Sequence, residues 1–201
     1  MENIRVITKK DNKKYSVREN RNRIFTPKEW KKFYDACSVK QKFTFKVLLL
    51  TGARIMEVRN IKVGDFDFPN QRVVLRVTKG KKSNVRTLRI SKELCRDIKR
   101  KIKENELMPD DYIGILSTPA ANIALKKTLK KIKIRDWQMF SVHNIRKTSE
   151  NWALAIGIDS MILSKRFGHN LMTAYKHYTQ SDAFTYSEKD DIRIIYGDTF
   201  I

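Results

Sequence analysis

The chain has 201 residues, with 43 lysines and arginines against 22 aspartates and glutamates, and its formal net charge is +21. Apolar residues make up 41% of it, which is enough for a packed core and excludes a wholly disordered protein. No apolar run approaches the ~18 residues of a membrane-spanning helix. The polar first ten residues predict no secretory signal.

The positive charge is concentrated in the middle of the chain. Residues 1–23 hold eight basic and three acidic residues, and residues 179–201 hold two basic and five acidic residues. The excess therefore belongs to residues 24–178. Nucleic acid is the expected partner, because each neutralised phosphate releases counterions. Charge alone does not separate a DNA-binding from an RNA-binding protein, and no basic amphipathic anchor favours a membrane.

The two cysteines, Cys37 and Cys95, are far apart and lack CxxC spacing. This pattern predicts neither a disulfide framework nor a cysteine-based zinc site. It is typical of a reducing compartment, so we expect a cytoplasmic, nucleoid-associated protein.

The chain begins with a predicted arm and a well-marked first helix. Residues 1–23 show no sustained periodicity, apart from a short candidate strand at 4–8. Thr26 can cap a helix that begins with Pro27, and Glu29 completes a capping box.

The rest of the pattern is mainly helical. Two runs rich in β-branched residues, 72–78 and 85–90, surround a glycine-containing connection and predict an antiparallel hairpin. Gly52 is a predicted left-handed helix stop, Ser91 and Asp159 are predicted helix caps, and 64–70 is a predicted turn. Helices are expected at about 27–37, 40–50, 55–61, 92–103, 118–133, 142–156, 160–167 and 173–178. The sequence thus predicts an α+β fold, mainly helical, with one small antiparallel sheet.

The predicted helix at 118–133 combines an apolar stripe with a basic surface. The stripe consists of Ile123, Leu125, Leu129 and Ile132. The basic residues are Lys126, Lys127, Lys130, Lys131 and Lys133. Such a face is either solvated or in contact with DNA, and Lys126, Lys127 and Lys130 are the candidate DNA contacts.

Four segments carry candidate chemistry. They are Thr51-Gly52-Ala53-Arg54-Ile55-Met56-Glu57, Lys79 in the hairpin, His143-Asn144-Ile145-Arg146, and Gly168-His169 followed nine residues later by Tyr178. In this order they resemble the tyrosine recombinase (phage integrase) family, with its TGxRxxE, hairpin-lysine, HxxR and GH boxes and its nucleophilic tyrosine. The resemblance covers about residues 25–179. One motif alone would be weak evidence for this resemblance, whereas four motifs in the right order are strong evidence.

These residue types suit the cleavage and rejoining of DNA. A tyrosine oxygen can form a covalent intermediate that conserves the energy of the cut bond. Two guanidinium groups can clamp the phosphate as it gains charge. Tyrosine has a reference pKa near ~10 and the leaving 5′-oxygen is more basic still, so a base and an acid both help. No metal, other cofactor or ATP is required.

The resemblance implies the roles of the main groups. Arg54 and Arg146 would bind the scissile phosphate. Tyr178 would attack it, forming a 3′-phosphotyrosyl link and a free 5′-hydroxyl. Lys79 would protonate the leaving oxygen, and Glu57, one helical turn after Arg54, would orient the site.

Two histidines complete the implied set. His143 would act as acid or base on the tyrosine side, and His169 would donate a hydrogen bond to a non-bridging oxygen. The sequence departs from the family pattern at Lys147, where many relatives have a second histidine, and at Asn170, where a serine is usual.

Several candidates have rivals. Lys81 and Lys82 compete with Lys79, although lysines in that loop can also simply hold the DNA backbone; Lys79 is favoured because it lies at the hairpin base, beside Gly80. Tyr175 competes with Tyr178, and the nine-residue interval from His169 favours Tyr178.

We therefore expect a basic arm at 1–23, a catalytic domain at 24–178 and a C-terminal tail at 179–201. The tail is apolar and acidic, and it could pack on its own domain or on a neighbour. Relatives generally carry an additional helical domain, for which residues 1–23 are too short. A catalytic fragment or a shortened protein is expected, with weak DNA binding in isolation.

The predicted function is that of a site-specific recombinase acting on double-stranded DNA. We expect a monomer in isolation and four molecules in a DNA synapse. The alternatives are a type IB topoisomerase-like enzyme, against which His143 in the HxxR box argues, and a catalytically silent nucleic-acid-binding module.

Overall fold

The computed structural model describes residues 4–8, 14–18, 23–79, 82–168 and 184–200. Its side chains are described for 23–76, 85–168 and 184–200. The helix predicted at 173–178 lies outside the described residues.

The described part of the chain contains eight α-helices and five strands. The helices are α1 (Pro27–Asp35), α2 (Val39–Thr51), α3 (Ile55–Arg59), α4 (Lys92–Glu104), α5 (Thr118–Lys131), α6 (Val142–Ala155), α7 (Ser160–Phe167) and α8 (Tyr186–Tyr196). The strands are β1 (Ile4–Thr8), β2 (Lys14–Arg18), β3 (Phe66–Asp67), β4 (Arg72–Lys79) and β5 (Lys82–Arg89). No helix among these residues is long and apolar enough to cross a membrane. The predicted fold class is confirmed.

The strands form two antiparallel sheets. The strand predicted at 4–8 is β1, and it pairs with β2, which the sequence did not indicate. The other sheet has the order β3-β4-β5. Its main hairpin is longer than predicted, because Lys79 and Lys82 are still paired and only two residues connect the strands. The polar residues 82–84 have low strand propensity, and ladder pairing overrides it.

Local capping signals place the helix ends where the sequence predicted them. Thr26 and Glu29 form the expected capping box at the start of α1. Gly52 ends α2 in the left-handed region, with φ of 61°. Ser91 accepts the Leu94 N–H at the start of α4, and Asp159 caps α7.

The hydrophobic core surrounds α6. Trp152 of that helix is fully buried and donates its Nε1–H to the Phe25 carbonyl at 2.9 Å. The Phe25 ring packs 5.3 Å from Phe33 and 4.5 Å from Phe140, measured between ring centroids. These contacts attach the segment before α1 to α6, and α6 carries the candidate residues His143 and Arg146.

The prediction that Ile123 belongs to the apolar stripe of α5 is wrong. Leu125 and Leu129 are fully buried in α5, but Ile123 is 68% exposed. Residues 121, 125 and 129 recur at the four-residue spacing of one helix face, and position 123 falls about half a turn away from it. The buried stripe of α5 therefore includes Ala121 instead.

The tail forms α8 and packs on its own domain. Phe184 and Ile192 are buried, and the Tyr196 hydroxyl donates to the Ser149 carbonyl of α6 at 2.6 Å. Thr185 and Glu188 form a capping box at the start of α8. That T-x-x-E spacing is visible in the sequence and could have predicted this helix.

We predict that Gly52→Ala destabilises the protein by about 1–3 kcal/mol, beyond the cost of the left-handed backbone alone. A Cβ at this position would overlap the Phe167 ring. Urea denaturation of the variant measures the loss.

Gly157→Ala is the matched control, because Gly157 also has a positive φ, of 90°, but has open space where a Cβ would lie. Equal losses for the two variants would show that the contact with Phe167 contributes nothing.

Candidate active site

Arg54 lies at the junction between α2 and α3. Gly52 turns the chain out of α2, and Arg54 adopts extended backbone as the N-cap of α3. Its N–H donates to Glu57 Oε2 at 2.9 Å, and its Nη1 donates to Glu57 Oε1 at 2.8 Å. The Arg54 side chain remains 41% exposed, whereas Glu57 is 5% exposed. The Glu57 carboxylate thus fixes one side of the Arg54 guanidinium, and the other side is open to solvent.

Arg146 reaches the same junction from α6. It is buried, and its Nη1 donates to the Gly52 carbonyl at 2.8 Å. Its Nη2 donates to the Phe167 carbonyl, and the guanidinium lies 5.1 Å from the centroid of the Phe167 ring. Backbone carbonyls at the ends of α2 and α7 therefore fix its orientation.

A third arginine, Arg86 of β5, completes the cluster. Its Nη2 donates to Glu57 Oε2 at 2.5 Å, and its side chain is 13% exposed. None of the four sequence motifs includes this residue. The signal was present, because Arg86 shares the inward face of its strand with Leu88 and Ile90, both buried, and a charged residue on a core face needs a partner.

The cluster is strongly electropositive. Burial raises the pKa of Glu57, but hydrogen bonds from Arg54 and the charge of Arg86 outweigh it, so the net shift is downward. The pKa of Arg146 is lowered to about 10 by burial and by the nearby charges of Arg54 and Arg86, and the group remains charged at neutral pH. The guanidiniums of Arg54 and Arg86 donate to the Glu57 carboxylate, and the charges of Glu57 and Glu150 both act on Arg146. An anion on the open side of Arg54 would add to this stabilisation.

The other candidate residues differ in how much of them the structure describes. His143 is exposed in the first turn of α6, one turn before the buried Arg146. Lys79 is the last residue of β4 and lies at the turn end of the hairpin, so the expectation that it lies at the hairpin base is wrong. The reason is that strand pairing continues as far as Lys79 and Lys82. The backbone of Lys79 is described, and its side chain is not. Lys82 is the first residue of β5 and is described in the same way. Lys81, His169 and Tyr178 lie outside the described residues.

Three of the candidate DNA-contacting lysines, Lys126, Lys127 and Lys130, lie on α5, whose first turn adjoins the cluster; the other two, Lys81 and Lys82, belong to the hairpin. Thr118 Oγ1 is 3.6 Å from Met56 Sδ of α3, and Asn122 Oδ1 accepts the Val142 N–H of α6 at 3.0 Å. Farther along α5, Lys127 and Lys130 are exposed and Lys126 is half-buried. Lys130 Nζ lies 5.6 Å from the centroid of the Trp137 ring. Contact between these lysines and DNA stays a prediction.

Known proteins share the sequence pattern and the fold of this chain. The model of the phage integrase family matches residues 23–184. The chain belongs to the phage integrase family. This confirms the family inferred from the four sequence motifs.

Individual relatives are distant. The tyrosine recombinase XerH of Campylobacter jejuni is 24% identical over 79% of this chain and 48% of its own length. The chain therefore spans about half the length of this curated relative. The XerA recombinase structure matches 87% of this chain and 65% of its own, with 20% identity and a TM-score of 0.66. The Tn1549 transposon integrase, solved with transposon right-end DNA, matches 86% of this chain and 65% of its own, with 17% identity and a TM-score of 0.67.

These matches establish the family and the recombinase fold. The role of each residue within the family site stays a prediction. Within the described part of the chain, no group of three His, Cys, Asp or Glu side chains is placed to hold a metal ion.

We predict that Glu57→Gln lowers the free energy of unfolding at pH 7 by about 3 kcal/mol, because it leaves buried arginine charge without its counter-ion. The pKa of Glu57 is lowered from its ordinary value of 4.5. The Glu57 carboxylate therefore stabilises the fold at pH values above 4.5, and this stabilisation is lost as the pH falls through the lowered pKa. The difference in the free energy of unfolding between Glu57→Gln and the unmodified chain should therefore become smaller in acid. Urea titrations at pH 7 and below pH 4 measure both effects.

Asp190→Asn is the control, because this exposed carboxylate pairs with Arg193 on the surface of α8. It should change stability by less than about 0.5 kcal/mol at either pH. A Glu57→Gln deficit that persists undiminished in acid would contradict the assigned charge state.

Proposed function

We propose that this chain is the catalytic domain of a site-specific DNA recombinase that cuts and rejoins strands through Tyr178. The observation that carries the proposal is the pair of arginines at the α2–α3 junction. Arg146 is held by the Gly52 carbonyl, and Arg54 follows Gly52 by two residues. Arg54 offers a phosphate the open side of its guanidinium, and the buried Arg146 adds a fixed positive charge near it.

The reaction exchanges one phosphate ester for another. The Tyr178 oxygen attacks the scissile phosphorus and loses its proton to a base, and the 5′-oxygen of the next nucleotide leaves and takes up a proton. A 3′-phosphotyrosyl bond replaces the broken phosphodiester bond. Attack by a 5′-hydroxyl from a partner strand reverses the step, so no ATP is consumed.

The arginines act on the phosphate during both steps. Its non-bridging oxygens gain negative charge in the pentacovalent transition state, where preorganised donors act most strongly. In other phosphoryl transfers, one such arginine contributes on the order of 10³–10⁵ in rate. Arg54 is exposed enough to reach DNA, and the buried Arg146 supplies a fixed positive charge behind it.

The remaining groups are assigned to proton transfer. Lys79 supplies the proton for the leaving 5′-oxygen, His143 acts on the tyrosine side, and His169 donates to a non-bridging oxygen. The exposed position of His143 in the first turn of α6 suits contact with bound DNA. The chain division at 1–23, 24–178 and 179–201 belongs to the same proposal.

The substrate in this proposal is double-stranded DNA. The net charge of +21 and the solved complexes of XerH with its difH substrate and of the Tn1549 integrase with DNA support it. We further propose that two molecules occupy each core site and four form the synapse. Each phosphate neutralised should add about −0.9 to the slope of log affinity against log salt.

The first test is covalent trapping. The full chain is incubated with end-labelled duplexes that are randomised in the central region and nicked in one strand, so that the short 5′-hydroxyl fragment diffuses away. We predict a denaturation-resistant DNA adduct that peptide mapping places on Tyr178. Tyr178→Phe should abolish the adduct and leave the dissociation constant for the recovered duplex within about twofold, since one hydroxyl on a large polar interface is a small part of binding.

Tyr175→Phe is the matched control and should form the adduct normally. A catalytically silent binding module predicts no adduct from the unmodified chain. A topoisomerase-like enzyme predicts the adduct but no strand exchange between two duplexes, which a four-way-junction substrate measures.

The second test isolates the leaving-group acid. We predict that Lys79→Ala slows cleavage by about 10²–10⁴-fold, and that sulfur in place of the 5′-bridging oxygen restores the rate. A thiolate leaves without a proton, since thiols have pKa values near ~8.5. Single-turnover cleavage of both substrates gives the comparison. Lys81→Ala and Lys82→Ala should show no such rescue, and rescue of either one instead would reassign the acid.

A further inference from the structure

We propose that Arg86 is a positioning residue of this site, which holds the Glu57 carboxylate so that Glu57 in turn presents Arg54 to the scissile phosphate. The inference rests on the proposed function and adds to it a residue that none of the four sequence motifs contains.

The geometry of Glu57 shows the connection. Its Oε1 accepts Arg54 Nη1 at 2.8 Å, while its Oε2 accepts both the Arg54 N–H at 2.9 Å and Arg86 Nη2 at 2.5 Å. One carboxylate therefore joins the α3 N-terminus, the Arg54 side chain and β5. Arg86 is the only one of the three contacts that comes from outside the α3 segment.

Burial separates the two arginines that share Glu57. Arg86 is 13% exposed and Arg54 is 41% exposed, so Arg86 lies on the inner side of the carboxylate and Arg54 on the outer side. Arg86 Nη1 also points toward Glu57 Oε1, at 3.5 Å, and Arg86 Nε has no acceptor among the described residues. Its two terminal nitrogens thus serve Glu57 rather than the open side of the site.

Arg86 is itself confined by the end of α7. A Cβ at Gly168 would lie 2.6 Å from Arg86 Nη1, so the absence of a side chain there leaves room for this guanidinium. Gly168 also has a φ of 63°, which favours glycine. The glycine of the GH box therefore leaves space for the arginine that supports the TGxRxxE box.

The consequence for catalysis concerns orientation. Without Arg86, Glu57 loses one of its two charged partners and can follow Arg54 into other rotamers. An exposed arginine has many rotamers available, and a misplacement of about 1 Å can cost 10²-fold in rate. The cleavage rate should therefore fall while DNA binding, spread over many phosphates, changes little.

The test uses the full chain and the nicked duplex recovered by covalent trapping. We expect Arg86→Met to slow single-turnover cleavage by about 10- to 100-fold, with the dissociation constant for the duplex within about twofold. Arg86→Lys should recover part of the rate, because it restores the charge without the planar fork. Each variant is assayed at a temperature at which its melting curve shows it folded.

Arg76→Met is the matched control. Arg76 lies on the neighbouring strand β4 and pairs with the buried Asp65, so its loss also removes an ion pair of the same sheet. It should change the cleavage rate by less than about threefold.

Coupling to Glu57 distinguishes positioning from a general structural effect. If Arg86 acts through Glu57, then Arg86→Met should slow cleavage by less than about twofold in a Glu57→Gln background. Should Arg86→Met fail to fold, Arg86→Lys with and without Glu57→Gln provides the same comparison.

Four outcomes would overturn the inference. They are an Arg86 variant that cleaves at the unmodified rate, additive effects of Arg86 and Glu57 changes, a loss confined to DNA affinity, and an equal loss from Arg76→Met. If the unmodified chain forms no adduct, the proposed function fails and the role of Arg86 fails with it. If the unmodified chain is active and the Arg86 variants cleave at the same rate, only the role of Arg86 is overturned.

Discussion

The shared carboxylate of Glu57 is the interaction on which the site depends. Arg54, Arg86 and Arg146 bring three positive charges to one junction, and like charges at short range in a partly buried place repel each other strongly. Glu57 offsets this repulsion through its hydrogen bonds with Arg54 and Arg86. Burial is the main cause of the lowered pKa of Arg146; the charges of Arg54 and Arg86 add to it, and those of Glu57 and Glu150 oppose it. An anion bound on the open side of Arg54 would offset the remaining repulsion.

Arg146 and Arg54 are held in different ways. Arg146 donates to carbonyls at the ends of α2 and α7, and both helices end at left-handed glycines, Gly52 and Gly168. Arg54 is held by a side chain. A rigid inner charge and a more exposed outer charge follow from this difference, and contacts within the protein orient both groups.

The sequence predicts those parts of the fold that depend on local signals. Caps at Thr26, Ser91 and Asp159 and the stop at Gly52 are each determined by a few neighbouring residues, so the helix ends were predicted within a few positions. The length of the hairpin was not, because pairing of polar residues 82–84 is decided by the partner strand. The exposed position of Ile123 similarly depends on which face of α5 meets the core.

The candidate site shows the same division. Motif spacing indicates Arg54 and Arg146, yet only the fold brings α3 and α6 together. Arg86 belongs to no motif and enters the site because β5 passes behind Glu57, a relationship between segments 29 residues apart. Strand periodicity could have marked it as an inward-facing charge, but nothing in the sequence names the carboxylate that it meets.

The C-terminal tail is connected to the site through a short chain of contacts. Tyr196 of α8 donates to Ser149 of α6, and Ser149 Oγ lies 3.1 Å from the position of a Cβ on Gly52. The carbonyl of Gly52 in turn accepts from Arg146. Close packing of these groups therefore connects α8 with the Gly52 carbonyl that orients Arg146.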